Sequence, residues 1–134
     1  MKTILITEDK LEVRELIKVT LRIGDYSLLE ASSGEEAVEL ARRHTPDLIL
    51  MDIMMPGTID GLEATRIIKS DPATRHCKVI ILTAKGQQHD VDTGNKAGAD
   101  AYFIKPFSPL ELIQQVEHQL QQETPWDTVI STAQ

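Results

Sequence analysis

Five polar residues of this sequence stand where short apolar runs end, which is where a buried strand would present a functional group. Parallel strands bring their carboxyl ends to one edge of an open α/β sheet, and ligands bind at that edge. Side chains that end different strands are therefore expected to meet there. The expected cluster consists of Glu8 and Asp9 after the first run, Asp52 after the third, Thr83 after the fourth and Lys105 after the fifth.

Three carboxylates in one cluster repel one another unless a cation joins them. Two ionised carboxylates about 4 Å apart repel by about 4 kcal/mol at an effective dielectric constant of about 20. Carboxylate, carbonyl and water oxygens are the ligands that Mg²⁺ prefers, and a magnesium ion keeps positions open for phosphate oxygens. With the Thr83 hydroxyl and the Lys105 ammonium nearby, such a cluster suits a phosphoryl group that arrives at Asp52.

Four members of the cluster also have an ordinary structural role as an alternative. Asp52 would cap a turn, and Asp9 would be the N-cap of the first helix, with Glu12 at the third helical position. Thr83 would satisfy backbone groups at a strand end, and Lys105 would be a solvated charge before a turn. These roles do not explain why every polar strand end falls at the ligand edge of one sheet.

The elements that must position these residues alternate as five strands and five helices. This pattern predicts a doubly wound α/β fold with a five-stranded parallel sheet and right-handed crossovers. The flavodoxin-like strand order 2-1-3-4-5 is expected, because the first, third and fourth runs are apolar, as in central strands, and the second is more polar. The strands are predicted at about 3–7, 26–31, 48–52, 77–83 and 100–104.

The helices are predicted from apolar spacing and from capping residues. Capping boxes at Ser33 and Ser108 begin the second and fifth helices. The fourth helix, over about 88–97, offers little apolar surface and contains Gly94, so we expect it to be the easiest helix to shift. The first helix is expected to end near Ile23 and the third to span about 61–70. The predicted inner stripe of the fifth helix consists of Leu110, Ile113, Val116 and Leu120.

Length and charge restrict the class of protein. A chain of 134 residues fits one domain, which we expect to span 1–122 with a short tail over 123–134. A formal net charge of -7 without a cluster of Lys and Arg argues against nucleic acid or an anionic membrane as direct partner. A single cysteine, Cys77, and the lack of a signal peptide or an apolar stretch of membrane-spanning length predict a cytoplasmic protein.

Four motifs follow one another along the chain: Ile-Thr-Glu-Asp, Asp-Leu-Ile-Leu-Met-Asp-Ile-Met-Met-Pro-Gly, Ile-Leu-Thr-Ala-Lys and Gly-Ala-Asp-Ala-Tyr-Phe-Ile-Lys-Pro-Phe. Through them the sequence resembles the receiver domain of two-component response regulators, over about residues 2–122, and the stand-alone type in particular. The resemblance implies a phospho-acceptor signalling protein rather than an enzyme. Asp52 would take a phosphoryl group from the phosphohistidine of a histidine kinase or phosphotransfer protein.

The resemblance also implies the roles of the other site residues. Asp9 and Asp52 would ligate Mg²⁺ together with the backbone carbonyl of Met54, and Glu8 would help directly or through water. Lys105 would pair with the phosphoryl group.

A two-state switch is implied by the same family. Thr83 would move toward the phosphate and Tyr102 would turn inward with it. The surface formed by the helix over 88–97, the fifth strand and the fifth helix would then engage a downstream protein target. The bulky Met54 and Lys85 carry no acid or carboxamide to orient a water, which predicts slow self-dephosphorylation.

The sequence departs from the family pattern in the loop over 56–61, which has one residue more than is usual, and this puts the local docking surface in doubt. The tail contains Trp126 and is too short for a DNA-binding domain. Other classes remain as alternatives: a phosphate-independent interaction module, an Mg²⁺-dependent phosphohydrolase and an FMN carrier. The phosphohydrolase would need a second acid two residues after Asp52, and the carrier a phosphate-binding loop where Glu8 and Asp9 stand.

Overall fold

The computed structural model describes residues 1–84, 97–105 and 108–121. The predicted tail and almost all of the helix expected over 88–97 lie outside the described residues. The elements are β1 (Lys2–Thr7), α1 (Leu11–Leu21), β2 (Tyr26–Ala31), α2 (Gly34–His44), β3 (Leu48–Asp52), α3 (Gly61–Ser70), β4 (Lys78–Ala84), β5 (Ala101–Lys105) and α4 (Pro109–Gln121).

The five strands form one parallel sheet in the order β2-β1-β3-β4-β5, as the sequence predicts. β3 lies at its centre, where Leu48 pairs with Ile4 of β1 and with Lys78 of β4. Every residue of β3 is buried, whereas β2 at the edge is partly exposed. The apolar run before Asp52 is therefore a strand covered on both faces, which fixes the position of its last residue.

Helices cover both faces of the sheet because successive strand side chains point to opposite sides. One face, here called the α1–α4 face, packs its apolar side chains against α1 and α4. The other, the α2–α3 face, packs against α2 and α3. The buried apolar residues of these helices are Ile17, Leu21, Leu112 and Val116 on the α1–α4 face, and Ala37, Val38, Ala41, Ala64 and Ile68 on the α2–α3 face.

Helix starts follow the predicted capping chemistry in two cases and not in a third. The Ser33 side chain accepts a hydrogen bond from the backbone N–H of Glu36, and Ser108 does the same for Glu111, each at 3.1 Å. The prediction of Asp9 as the N-cap of α1 is wrong. Lys10 occupies that position with no side-chain cap, because α1 begins only at Leu11 and leaves Asp9 in the preceding turn.

The prediction of the inner stripe of α4 is also partly wrong. Leu110 is 63% exposed, and the buried positions are Leu112, Val116 and Gln119. Leu110 and Leu112 begin two different stripes at helical spacing that share Val116, so apolar spacing alone does not decide between them. The stripe that contacts the sheet contains the buried Gln119, a polar residue that a search for apolar spacing does not select.

Candidate functional site

Strand alternation places three of the predicted site residues on one side of the sheet. In β1, β3 and β5 the apolar residue two positions before each of them belongs to the α1–α4 face. Because side chains repeat with a period of two, Asp52 and Lys105, the last residues of β3 and β5, and Glu8, the residue after β1, lie on that face as well. The Lys105 ammonium lies 2.9 Å from Glu8 Oε1 and 3.3 Å from Asp52 Oδ1.

The three predicted carboxylates form a single acidic cluster. Glu8, Asp9 and Asp52 each offer an oxygen, and these oxygens lie within 4.8 Å of one another. Glu8 is fully buried and Asp52 nearly so, whereas Asp9 is exposed at the mouth of the cluster. Three carboxylates and one ammonium leave two net negative charges, and such an all-oxygen donor set fits a divalent cation of the hard type.

Lys105 remains charged in this surrounding. Burial works against its ammonium form, but the hydrogen bond to Glu8 and the nearby charge of Asp52 outweigh that effect, so the pKa of Lys105 is raised. The position of Glu8 is fixed by its neighbours as well. Its Oε2 accepts a hydrogen bond from the backbone N–H of Lys10 at 3.3 Å, and Arg14 donates to its backbone carbonyl at 2.7 Å.

Backbone contacts hold the end of β3 rigidly. The N–H of Ile53 donates to Leu82 O at 3.4 Å, and the N–H of Gly61 donates to Ile53 O at 3.0 Å. A Cβ on Gly61 would lie 2.0 Å from the carbonyl oxygen of Asp52, a distance that no side chain tolerates. α3 therefore begins in direct contact with the backbone of Asp52, and only glycine permits that approach.

Thr83 lies on the opposite side of the sheet from Asp52, since Ile81 two residues earlier belongs to the α2–α3 face. Its hydroxyl is buried, with 2% of the residue exposed, and has no hydrogen-bonding partner within the described part of the chain. Tyr102, also predicted to take part in switching, is half-buried against the α2–α3 face. Burying a hydroxyl without a hydrogen-bonding partner costs about 1–3 kcal/mol of stability. A hydrogen-bond acceptor that came within reach of the Thr83 hydroxyl would therefore be stabilised.

Two further predictions concern residues near the site. The Met54 side chain is 78% exposed in the loop after β3, and the role of its carbonyl stays a prediction. Lys85 lies outside the described residues. Sequence reasoning did not find the contributions of Arg14 and Gly61, because neither the hydrogen bond to Glu8 nor the contact with Asp52 follows from residue type or spacing.

Fold and site together define an open α/β protein with an acidic, lysine-paired centre at the carboxyl edge of its sheet. The chain matches the response regulator receiver domain family over residues 4–117, and it belongs to that family.

Its relatives include both long and short proteins. It is 42% identical to the phosphate regulon transcriptional regulatory protein PhoB of Pseudomonas aeruginosa, covering 95% of this chain and 55% of PhoB. It is 37% identical to the polar-differentiation response regulator DivK of Brucella ovis, covering 89% of this chain and 96% of DivK. The chain thus spans about half the length of PhoB and nearly all of DivK.

Among solved structures, the chain is similar to the receiver domain of sensor histidine kinase PA1611 from Pseudomonas aeruginosa. The TM-score is 0.81 at 34% identity, covering 89% of this chain and 97% of that one. That structure has a magnesium ion coordinated in the active site cleft. None of the helices that the described residues form has the length and hydrophobicity to cross a membrane.

Proposed function

We propose that this chain is a phospho-acceptor of two-component signalling, in which Asp52 receives a phosphoryl group from a histidine kinase or a phosphotransfer protein. The observation that carries the proposal is the placement of a buried, lysine-paired carboxylate, Asp52, beside two further carboxylates at the ligand edge of the sheet. The family supports it, because receiver domains are partners of histidine kinases.

The cofactor of the proposed reaction is Mg²⁺, held by Asp9, Asp52 and the carbonyl of Met54, with Glu8 acting directly or through water. When bound, the metal neutralises charge on the phosphoryl oxygens and orients them. The distances among the carboxylates support this set, and the magnesium ion in the PA1611 receiver domain supports the identity of the metal.

The residues of this chain have distinct tasks in the transfer. An Asp52 carboxylate oxygen attacks phosphorus while the P–N bond to the donor imidazole breaks, and the electron pair of that bond stays on the imidazole nitrogen. Lys105, which stays protonated at neutral pH, neutralises a phosphoryl oxygen. Glu8 holds the Lys105 ammonium beside Asp52.

The proposed output is a change of surface that a downstream protein recognises. The Thr83 hydroxyl, which has no hydrogen-bonding partner among the described residues, would donate to the phosphoryl group, and Tyr102 would move with it. Ile104 of β5 and Leu110 of α4 are exposed apolar residues of the surface expected to carry the output. The domain bounds 1–122, a stand-alone mode of action, a cytoplasmic location and slow self-dephosphorylation remain predictions.

The test is the intact mass of the protein after incubation with acetyl phosphate, with and without Mg²⁺. We expect one phosphoryl adduct that requires Mg²⁺, is absent from Asp52→Asn and persists in Asp25→Asn, which removes an exposed carboxylate instead. An adduct that survives in Asp52→Asn would refute the assignment. No adduct in a wild-type protein that binds Mg²⁺ would favour the phosphate-independent interaction module.

A further inference from the structure

The loop that follows β3 is held by a carboxylate from the neighbouring helix α2. Glu35 lies in the first turn of α2, and its carboxylate accepts two hydrogen bonds from consecutive backbone N–H groups of the loop. Thr58 donates to Oε2 at 3.2 Å and Ile59 donates to Oε1 at 3.3 Å. This is the loop in which the sequence is expected to have one residue more than the family pattern.

Two glycines allow the loop and α2 to approach this closely. A Cβ on Gly34 would lie 2.8 Å from the carbonyl oxygen of Ile59. Gly57 has a φ of 100°, and a Cβ there would lie 2.4 Å from Glu35 Oε2. The contact therefore depends on a glycine in each segment: on the small size of Gly34 in α2 and on the positive φ of Gly57 in the loop.

The far end of the same loop is fixed against the phospho-acceptor. Gly61 packs on the Asp52 carbonyl and donates its N–H to Ile53 O. Met54 directly follows Ile53, which this contact holds, and precedes Thr58 and Ile59, which Glu35 holds. A loop fixed at two points has less conformational entropy to lose when one of its carbonyls is used as a ligand.

We propose that Glu35 is a positioning residue for the metal site: by holding Thr58 and Ile59 it orders the segment that carries the Met54 carbonyl, and so strengthens Mg²⁺ binding. The backbone hydrogen bond from Thr58 is the main reason that the pKa of Glu35 is lowered, which keeps the carboxylate ionised at neutral pH. The inference rests on the proposed function, in which the Met54 carbonyl is a metal ligand.

The experiment compares Glu35→Ala and Glu35→Gln with wild type and with Glu39→Ala. Glu39 is a matched control, because it is an exposed carboxylate of the same helix that pairs with Arg43. Binding of Mg²⁺ alone is measured by titration calorimetry. Phosphorylation by acetyl phosphate is followed at limiting and at saturating Mg²⁺, and thermal unfolding shows that each variant is folded.

We expect Glu35→Ala to bind Mg²⁺ about fivefold more weakly, the factor that corresponds to ordering about one backbone residue. Its phosphorylation should be slower at limiting Mg²⁺ and equal to wild type at saturation, a split that a general loss of stability would not produce. Glu35→Gln, whose amide oxygen still accepts one of the two N–H groups, should fall between wild type and Glu35→Ala.

Equal Mg²⁺ affinities for Glu35→Ala and Glu39→Ala, in a protein whose wild type is phosphorylated, would overturn this inference alone. A wild type that neither binds Mg²⁺ nor gains a phosphoryl group would overturn the proposed function, and the inference with it. If Glu35→Ala does not fold, Glu35→Gln against Glu39→Gln decides, and equal affinities again contradict the role of Glu35.

Discussion

Replacing Thr83 by valine should stabilise the unphosphorylated protein and weaken its response to phosphorylation. The Thr83 hydroxyl is buried without a hydrogen-bonding partner among the described residues, and valine has nearly the same shape without the polar atom. A buried polar atom that lacks a partner costs about 1–3 kcal/mol. Allowing for a site that relaxes around the methyl group, we expect a gain of about 1 kcal/mol in the free energy of unfolding.

Thr7 provides the matched control. It ends β1, is fully buried, and carries the other buried hydroxyl without a partner in the described residues. Thr7→Val should therefore give a similar gain, which for a domain of this size corresponds to a rise in Tm of roughly 3–4 °C. Both variants should still be phosphorylated on Asp52, but only Thr83→Val should lose part of the change in Tm that phosphorylation brings.

The assay is thermal unfolding of each variant before and after treatment with acetyl phosphate and Mg²⁺, with the phosphorylated fraction measured by intact mass. A loss of stability in unphosphorylated Thr83→Val would refute the reasoning, because it would mean that the hydroxyl is already hydrogen-bonded in the native protein. Equal phosphorylation-dependent shifts in Thr83→Val and Thr7→Val would show that the hydroxyl does not contact the phosphoryl group.

Two further predictions concern the neighbours of Asp52. The pKa of Lys105 is raised above its usual value near 10.5, so its contribution to stability is complete below that pH and is lost as the pH rises through the raised pKa. The unfolding free energies of wild type and Lys105→Met should therefore differ at neutral pH and converge at alkaline pH, and a constant difference up to the highest pH would contradict the ion pair. Gly61→Ala places a Cβ 2.0 Å from Asp52 O and should lower the free energy of unfolding by about 1–3 kcal/mol. Urea unfolding measures this loss, with Gly24→Ala as a control, because the atoms nearest to a Cβ on Gly24 belong to the movable ring of Tyr26. An unchanged urea midpoint for Gly61→Ala would contradict the close contact.

The fold was predictable from the sequence because its signals are local and repeated. Each apolar run that ends in a polar residue marks both a strand and its ligand end, and the run before Asp52 gives both bounds of β3. Parallel topology brings Glu8, Asp52 and Lys105 to one edge, where they meet. Thr83 lies at the same edge, near the end of β4, but on the opposite side of the sheet.

Errors arose where the outcome depends on contacts between elements. The place where α1 begins depends on how Lys10 and Glu8 meet in the turn, and local capping preference does not contain that information. The exposure of Leu110 depends on which of two stripes contacts the sheet. The hydrogen bonds of Glu35 required knowledge of where the loop over 53–60 crosses α2, which no spacing in the sequence encodes.

Charge balance connects the metal, the lysine and the threonine in the proposed function. Glu8, Asp9 and Asp52 with Lys105 carry a net charge of about -2, which a divalent cation cancels. Phosphorylation replaces the single charge of Asp52 by about -2, since a phosphoryl group carries -1.5 to -2 at neutral pH. The site then holds a surplus of about one negative charge, and in a buried position such a surplus is costly unless a donor meets it. The Thr83 hydroxyl is a buried donor without a partner among the described residues. Moving it toward the phosphoryl group would lower both the cost of the surplus charge and the cost of the unpaired hydroxyl. That shared gain would make phosphorylation favour a second arrangement of the domain.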